Sequence, residues 1–197
     1  LAKKARVWTG TEFVELASAQ TDLTAYSTTA QMNTAITAGV GLVPILTQTI
    51  GTAVSSVTVS NAFSATYDAY KIIITGSGVH SGGSNITLKL GASTTGYYYS
   101  GFLMSYSTGS TSALYGSNQA NFLYAGYGTT ATRIFDVDLI NPGTANYTIY
   151  ESKYTAIADA TYQQGIHQVA TAYTDFTITA GSGTMTGGTI RVYGYKN

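Results

Sequence analysis

Apolar and polar positions change their pattern near residue 42 of this 197-residue chain. Beyond that point, short segments alternate apolar with polar residues. Ile86, Leu88 and Leu90 fall on one side of such a segment, Thr87 and Lys89 on the other. A period of two marks a strand with one buried face. The pattern predicts strands at 45–50, 54–59, 69–75, 85–91, 97–106, 121–125, 132–140, 146–154, 164–170, 174–179 and 188–196, each bounded by Gly, Asn-Pro or Ser/Thr clusters. Ile72-Ile73-Ile74 is apolar on both faces and predicts a central strand buried on both sides. Asn141-Pro142-Gly143 is the clearest turn. No convincing 3.6-residue period follows residue 42. So many short strands predict an all-β fold, an antiparallel, jelly-roll-like β-sandwich head over 43–197.

Residues 1–42 read as a stalk. Residues 6–16 form a hairpin pattern in which Val7-Trp8 and Phe13-Val14 flank a Thr9-Gly10-Thr11 turn. A helix is expected over 28–38, with Thr28 and Gln31 as a capping box and Gly39 as its stop. A helix that short is marginal alone, since about 12–15 residues are needed even for good formers. Trp8, Phe13, Leu16, Leu23, Tyr26, Met32 and Ile36 are too much apolar surface for so thin a segment to cover by itself. Identical copies would cover it; docking of the helix on the chain's own head is the competing reading. Gly39 to Pro44 is read as a hinge.

Composition sharpens this picture. Charged residues make up 9% of the chain and cancel, with nine Lys and Arg against nine Asp and Glu. A typical soluble protein carries about 25%. A neutral surface does not steer toward nucleic acid or an anionic membrane. It suits a neutral polar partner, such as a glycan, or another copy of the chain. There is no cysteine, so disulfides and thiolate metal sites are excluded. No apolar run approaches the roughly 18 residues of a membrane span. No signal peptide follows Lys3, Lys4 and Arg6, and the opening Leu1 fits a piece of a longer polypeptide.

Three stretches carry a family resemblance. Arg6-Val-Trp-Thr-Gly-Thr-Glu-Phe-Val-Glu-Leu16 resembles hairpins of bacteriophage fibre shafts. Asp22 to Ile36 is similar to short trimerising helices between shaft and head. Thr66 to Ile74 and Gly188 to Lys196 look like the first and last strands of a β-rich module of phage virion proteins. The chain thus resembles the C-terminal part of a tail fibre or related virion structural protein. The resemblance implies a homotrimer located in the virion, contacts with other virion proteins and a role in host attachment. It transfers no binding residue.

Tyrosine is the richest chemical clue, with 17 in the chain. Tyr97, Tyr98 and Tyr99 cannot share one face of a strand, so at least one points outward. Tyr106, Tyr115 and Tyr124 lie in the same Gly/Ser-rich region, and Asn118 and Gln119 offer amides. A tyrosine ring stacks on the apolar face of a sugar while its hydroxyl reaches the rim. These eight residues are the candidate glycan contacts; the competing reading places the tyrosines in subunit seams or sheet faces. Asp136 and Asp138 share a strand face about 6.6–7 Å apart. That spacing fits inverting glycoside hydrolysis or calcium, or simply the wet side of a strand whose inward residues are Phe135, Val137 and Leu139. His80 and His167 have no metal-ligand spacing, and no serine sits in a nucleophile elbow. No catalytic, metal or cofactor site is expected. The functional expectation is a homotrimeric virion fibre protein whose head binds a host surface glycan. A purely structural virion protein and a polysaccharide depolymerase are the alternatives.

Overall fold

The structure, a computed structural model, describes residues 6–15, 41–76, 79–80, 85–127, 133–155 and 159–196, without the side chains of 13–15, 76, 79–80, 124–127 and 133–134. The chain divides into two compact units, Leu1–Val40 and Gly41–Asn197.

In the first unit, β1 (Arg6–Trp8) pairs antiparallel with β2 (Phe13–Glu15), Trp8 opposite Phe13. Gly10 closes the turn at a φ of 98°, a conformation that side chains disfavour. The Thr9 amide donates to the Glu12 carbonyl at 2.9 Å. The hairpin expected over 6–16 is present, and Val7 and Trp8 are half exposed on it. The helix expected over 28–38, with Leu16, Leu23, Tyr26, Met32 and Ile36, lies outside the described residues.

Every element of the second unit is a strand among the described residues. Eight form one antiparallel sheet, in the order β3 (Leu42–Thr49), β16 (Thr189–Tyr195), β5 (Ala69–Gly76), β11 (Arg133–Ile140), β12 (Thr148–Thr155), β13 (Asp159–His167), β8 (Tyr97–Ser105) and β9 (Thr111–Gln119). Four form a second antiparallel sheet, β10 (Phe122–Tyr127), β7 (Asn85–Leu90), β14 (Phe176–Ala180) and β4 (Ser56–Val59). A small ribbon joins β6 (Val79–His80) to β15 (Met185–Thr186).

The two large sheets pack as a sandwich because both alternate. Ile86, Leu88 and Leu90 of β7 and Phe176 and Ile178 of β14 point inward. They meet Tyr70, Ile72 and Ile74 of β5 and Phe135, Val137 and Leu139 of β11, all at most 1% exposed. Full burial of each such side chain is worth roughly 1.5–3 kcal/mol. Aromatic contacts tie the layers together: Phe122 stacks on Tyr150 at 4.1 Å, and Phe63, in the loop before β5, reaches both Phe176 at 5.6 Å and Tyr70 at 5.0 Å. The turn at Asn141-Pro142-Gly143 is clamped to the loop before β5. Asn141 sits at a φ of 64°, its amide donates to the Asp68 carbonyl, and a Cβ on Gly143 would strike the Ser64 backbone.

Several expectations change. Leu42–Pro44 belongs to β3, so the hinge does not extend to Pro44. The strand placed at 164–170 runs from Asp159 to His167, because its inward positions include the buried polar residues Thr161 and Gln163, which break the apolar alternation. β9 has no counterpart among the expected strands. Ile73 is only half buried, since β5 is covered on one face rather than two.

Candidate ligand-binding face

The outer face of the eight-stranded sheet is covered by no other strand of the second unit among the described residues. Register places its side chains in rows that cross the strands. One row runs Ala69, Ile140, Ile149, Ile166, Tyr98, each directly opposite the next. It is apolar, yet Ile140 is 42% and Ile149 47% exposed. The neighbouring row runs Asp138, Glu151, Gln164, Ser100, Tyr115 and is polar until it reaches its final ring. Two depressions lie between the rows. The larger, about 590 Å³, has Ile149, Ile166 and Tyr98 on one side and Glu151, Gln164 and Ser100 on the other. The smaller, about 250 Å³, lies between Ile140 and Asp138 and is bounded by Tyr195. Glu151 lines both.

Most charges on this face are paired with one another. Lys71 Nζ sits between Asp136 Oδ1 at 2.5 Å and Asp138 Oδ2 at 3.1 Å. Tyr195 Oη donates to Asp138 Oδ1 at 2.6 Å. Burial works against the Lys71 ammonium, but hydrogen bonds and charge from the two aspartates outweigh it and hold its pKa above the ordinary 10.5. Burial, reinforced by the bond to Asp138, pushes the Tyr195 phenol up to about 12. Lys153 pairs with Glu151 at 2.7 Å and lies 5.9 Å from the Tyr162 ring centroid. Asp136 and Asp138 do share the face opposite Phe135, Val137 and Leu139, as the alternation implies. With an ammonium wedged between them, they present an ion-paired cluster to solvent. Among the described residues no group of three or more His, Asp or Glu is placed to hold a metal.

The candidate glycan contacts separate onto different surfaces. Tyr98 and Tyr115 lie on the outer face, in adjacent rows. Tyr115 is 80% exposed. Tyr97 belongs to the core instead: it is fully buried, its hydroxyl accepts from the Leu90 amide at 2.8 Å, and burial raises its pKa to about 12. It cannot meet a ligand from solvent. Tyr99 alternates to the inner face, where its ring occupies the space a Cβ on Gly116 would need, and it also lines the larger depression together with Gly116. Tyr106 is exposed beyond the end of β8, away from the depressions. Asn118, at a φ of 49°, accepts the Gly96 amide through Oδ1 and so holds a turn. Gln119 is exposed and bonds back to the Ser117 carbonyl. Tyr124 lies in β10, its side chain outside the described residues. The outer-face residues that sequence reasoning missed are Ile140, Ile149, Ile166, Glu151 and Gln164. For Ile149 and Glu151 the signal was present in Thr148-Ile-Tyr-Glu-Ser-Lys-Tyr154, where both faces carry large side chains.

His167 is fully buried on the inner face between two loops. Its Nε2 lies 3.1 Å from the Thr95 carbonyl, which fixes the proton there. Ser93 Oγ, 2.9 Å from the same nitrogen, then faces a donor and has no general base. Nδ1 accepts from the Tyr173 hydroxyl at 3.4 Å. Burial pushes the His167 pKa down. The histidine is a structural clip between loop 91–96 and loop 168–175.

The described residues define an all-β fold of antiparallel sheets, in which an amphipathic face of the larger sheet is covered by no other strand of the second unit. No protein-family model, no curated protein and no solved structure matches the chain.

Proposed function

We propose that the chain is a homotrimeric fibre protein of a bacteriophage virion. Its stalk, with the hairpin and a trimerising helix over 28–38, joins the copies and contacts other virion proteins. Its jelly-roll-like head binds a host cell-surface glycan and has no enzymatic role. The observation that carries the reading is the outer face of the eight-stranded sheet, where an exposed apolar row ending in Tyr98 runs beside a hydrogen-bonding row ending in Tyr115. A sugar has the matching build, C–H surface on its ring faces and hydroxyls on its edge. The half-exposed Trp8 and Val7 of the hairpin support burial against identical copies. Weak binding by each head would be raised about 10²–10⁴-fold by multivalent display.

A glycan array probed with the full chain, paired with host adsorption in the presence of excess chain, tests the reading. Binding to a surface glycan and blocked adsorption are expected. Neither signal from a properly assembled trimer would remove the receptor role. The exposed isoleucines Ile140 and Ile149 also suit a protein neighbour, which favours the purely structural virion role as the second reading. In that case adsorption stays unblocked, and the outer face is buried when the chain is located in a virion reconstruction.

A further inference from the structure

Resting on the receptor reading, we infer that the outer face binds the interior of a linear, uncharged polysaccharide chain laid across the strands, rather than a single terminal sugar. Three features of the face point to this.

The first is shape. The two depressions lie side by side in one band and share Glu151. The band has no end wall at Tyr115, which is 80% exposed on edge strand β9. From β5 to β9 it crosses five strand intervals, about 24 Å at about 4.8 Å each. One interval is close to the length of one pyranose unit in an extended chain. A pocket for a terminal sugar would be closed and single; this band is open and repeats strand by strand.

The second is chemistry. One wall is C–H surface, from Ile140, Ile149, Ile166 and Tyr98; the other offers Asp138, Glu151, Gln164 and the Ser100 hydroxyl. The Ser100 and Tyr115 hydroxyls bond to none of the described residues. Every ring along an extended glycan presents the same pair of surfaces, so both walls are used at each step.

The third is charge. Among the described residues the outer face carries Lys71, Lys153 and Arg191 against Asp136, Asp138 and Glu151, and five of these six are engaged in ion pairs with one another. The sixth, Arg191, donates to the Thr75 hydroxyl at 2.8 Å, and the six charges sum to zero, so the face has no net attraction for a sulfated, phosphorylated or uronic polymer. Its charge complement is a neutral chain.

Linear gluco-, manno- and galacto-oligosaccharides, each from monosaccharide to hexasaccharide, are the probes, titrated into the full chain by calorimetry. Affinity is expected to rise at least tenfold from disaccharide to hexasaccharide in one series. Ile149→Asn should weaken binding of every length at least tenfold. Tyr115→Ala should weaken the hexasaccharide several-fold and leave the disaccharide unchanged, because Tyr115 lies three strand intervals from Glu151, about 14 Å. Thr177→Ala, on the outward side of the other sheet, should change nothing. Both outer-face positions are exposed, so thermal midpoints should stay at the wild-type value. Affinity independent of chain length, or insensitive to Ile149→Asn, overturns this inference and leaves the receptor reading standing. Binding of no member of any series at millimolar concentration overturns both. A drop in assembled mass on Ile149→Asn overturns it too, because the face would then be a contact between copies.

Discussion

The two faces of the eight-stranded sheet are built from the same strands, one residue out of step, and they differ in almost every respect. The inner face carries Ile72, Ile74, Phe135, Val137 and Leu139 at 0–1% exposure beneath the second sheet. The outer face carries Lys71, Ile73, Asp136 and Asp138 on the same two strands. The covered face is constrained by volume, because close packing leaves no room for an altered side chain. The uncovered face is constrained only by water, so its exposed isoleucines need another cause. Scattered apolar residues on a surface are ordinary. An unbroken row of them beside a polar row is not, and it is the mark of a surface kept for contact.

Substitutions on the two faces should therefore separate stability from function. Phe135→Ala or Phe176→Ala, both inward, should cost about 3–5 kcal/mol by denaturant titration. If either costs less than 1 kcal/mol, the sandwich core is misplaced.

Gln163 offers a test of opposite sign. It is fully buried on the inner face, and among the described residues neither of its amide atoms has a hydrogen-bond partner. An unpaired buried group costs about 1–3 kcal/mol. Gln163→Leu should raise stability by about that amount in the same titration; a loss would mean that the amide is satisfied in solution.

pH acts on the two faces in opposite directions. His167 is held neutral by burial, with its folded pKa lowered from 6.5. Its contribution is present above about pH 6.5 and is lost as pH falls through the lower folded value. Lys71 and Tyr195 have raised folded pKa values. Their contributions are present below about pH 10 and lost as pH rises, through about 12 for Tyr195. Thermal midpoints should fall on the acid side in wild type and less steeply in His167→Gln. The alkaline fall should soften in Tyr195→Phe. Identical slopes in variant and wild type would contradict both assignments.

The smallest stability effect belongs to the outer face. Ile149→Asn should shift the folding free energy by no more than about 0.5 kcal/mol, as exposed positions do. A large loss would make Ile149 part of a buried interface.

Much of this architecture was legible in the sequence wherever one side of a strand is buried and the other wet. Ile86-Thr-Leu-Lys-Leu90 and Ile134-Phe-Asp-Val-Asp-Leu139 declared their faces by alternation, and β7 and β11 lie where that pattern puts them. β9 was illegible because it is an edge strand with little burial on either face, so nothing forces its residues to alternate. β13 was displaced because Thr161 and Gln163 put polar groups on the buried side. At the candidate site, sequence pointed to aromatic residues, and two of these, Tyr98 and Tyr115, lie on the outer face. It could not sort them from Tyr97 and Tyr99, since three consecutive tyrosines carry no sign of which face is covered. Nor could it bring Glu151 and Gln164 beside them. That juxtaposition depends on the pairing of β12, β13 and β8, a long-range register that no local pattern encodes.

Backbone hydrogen exchange of the full chain, with and without the tightest-binding neutral oligosaccharide, probes the outer face most directly. A ligand lying across the strands predicts slowed exchange in peptides from β12, β13, β8 and β9, with the four-stranded sheet unchanged. Protection confined to the loops at either end of the sandwich, with those four strands unaffected, would contradict it.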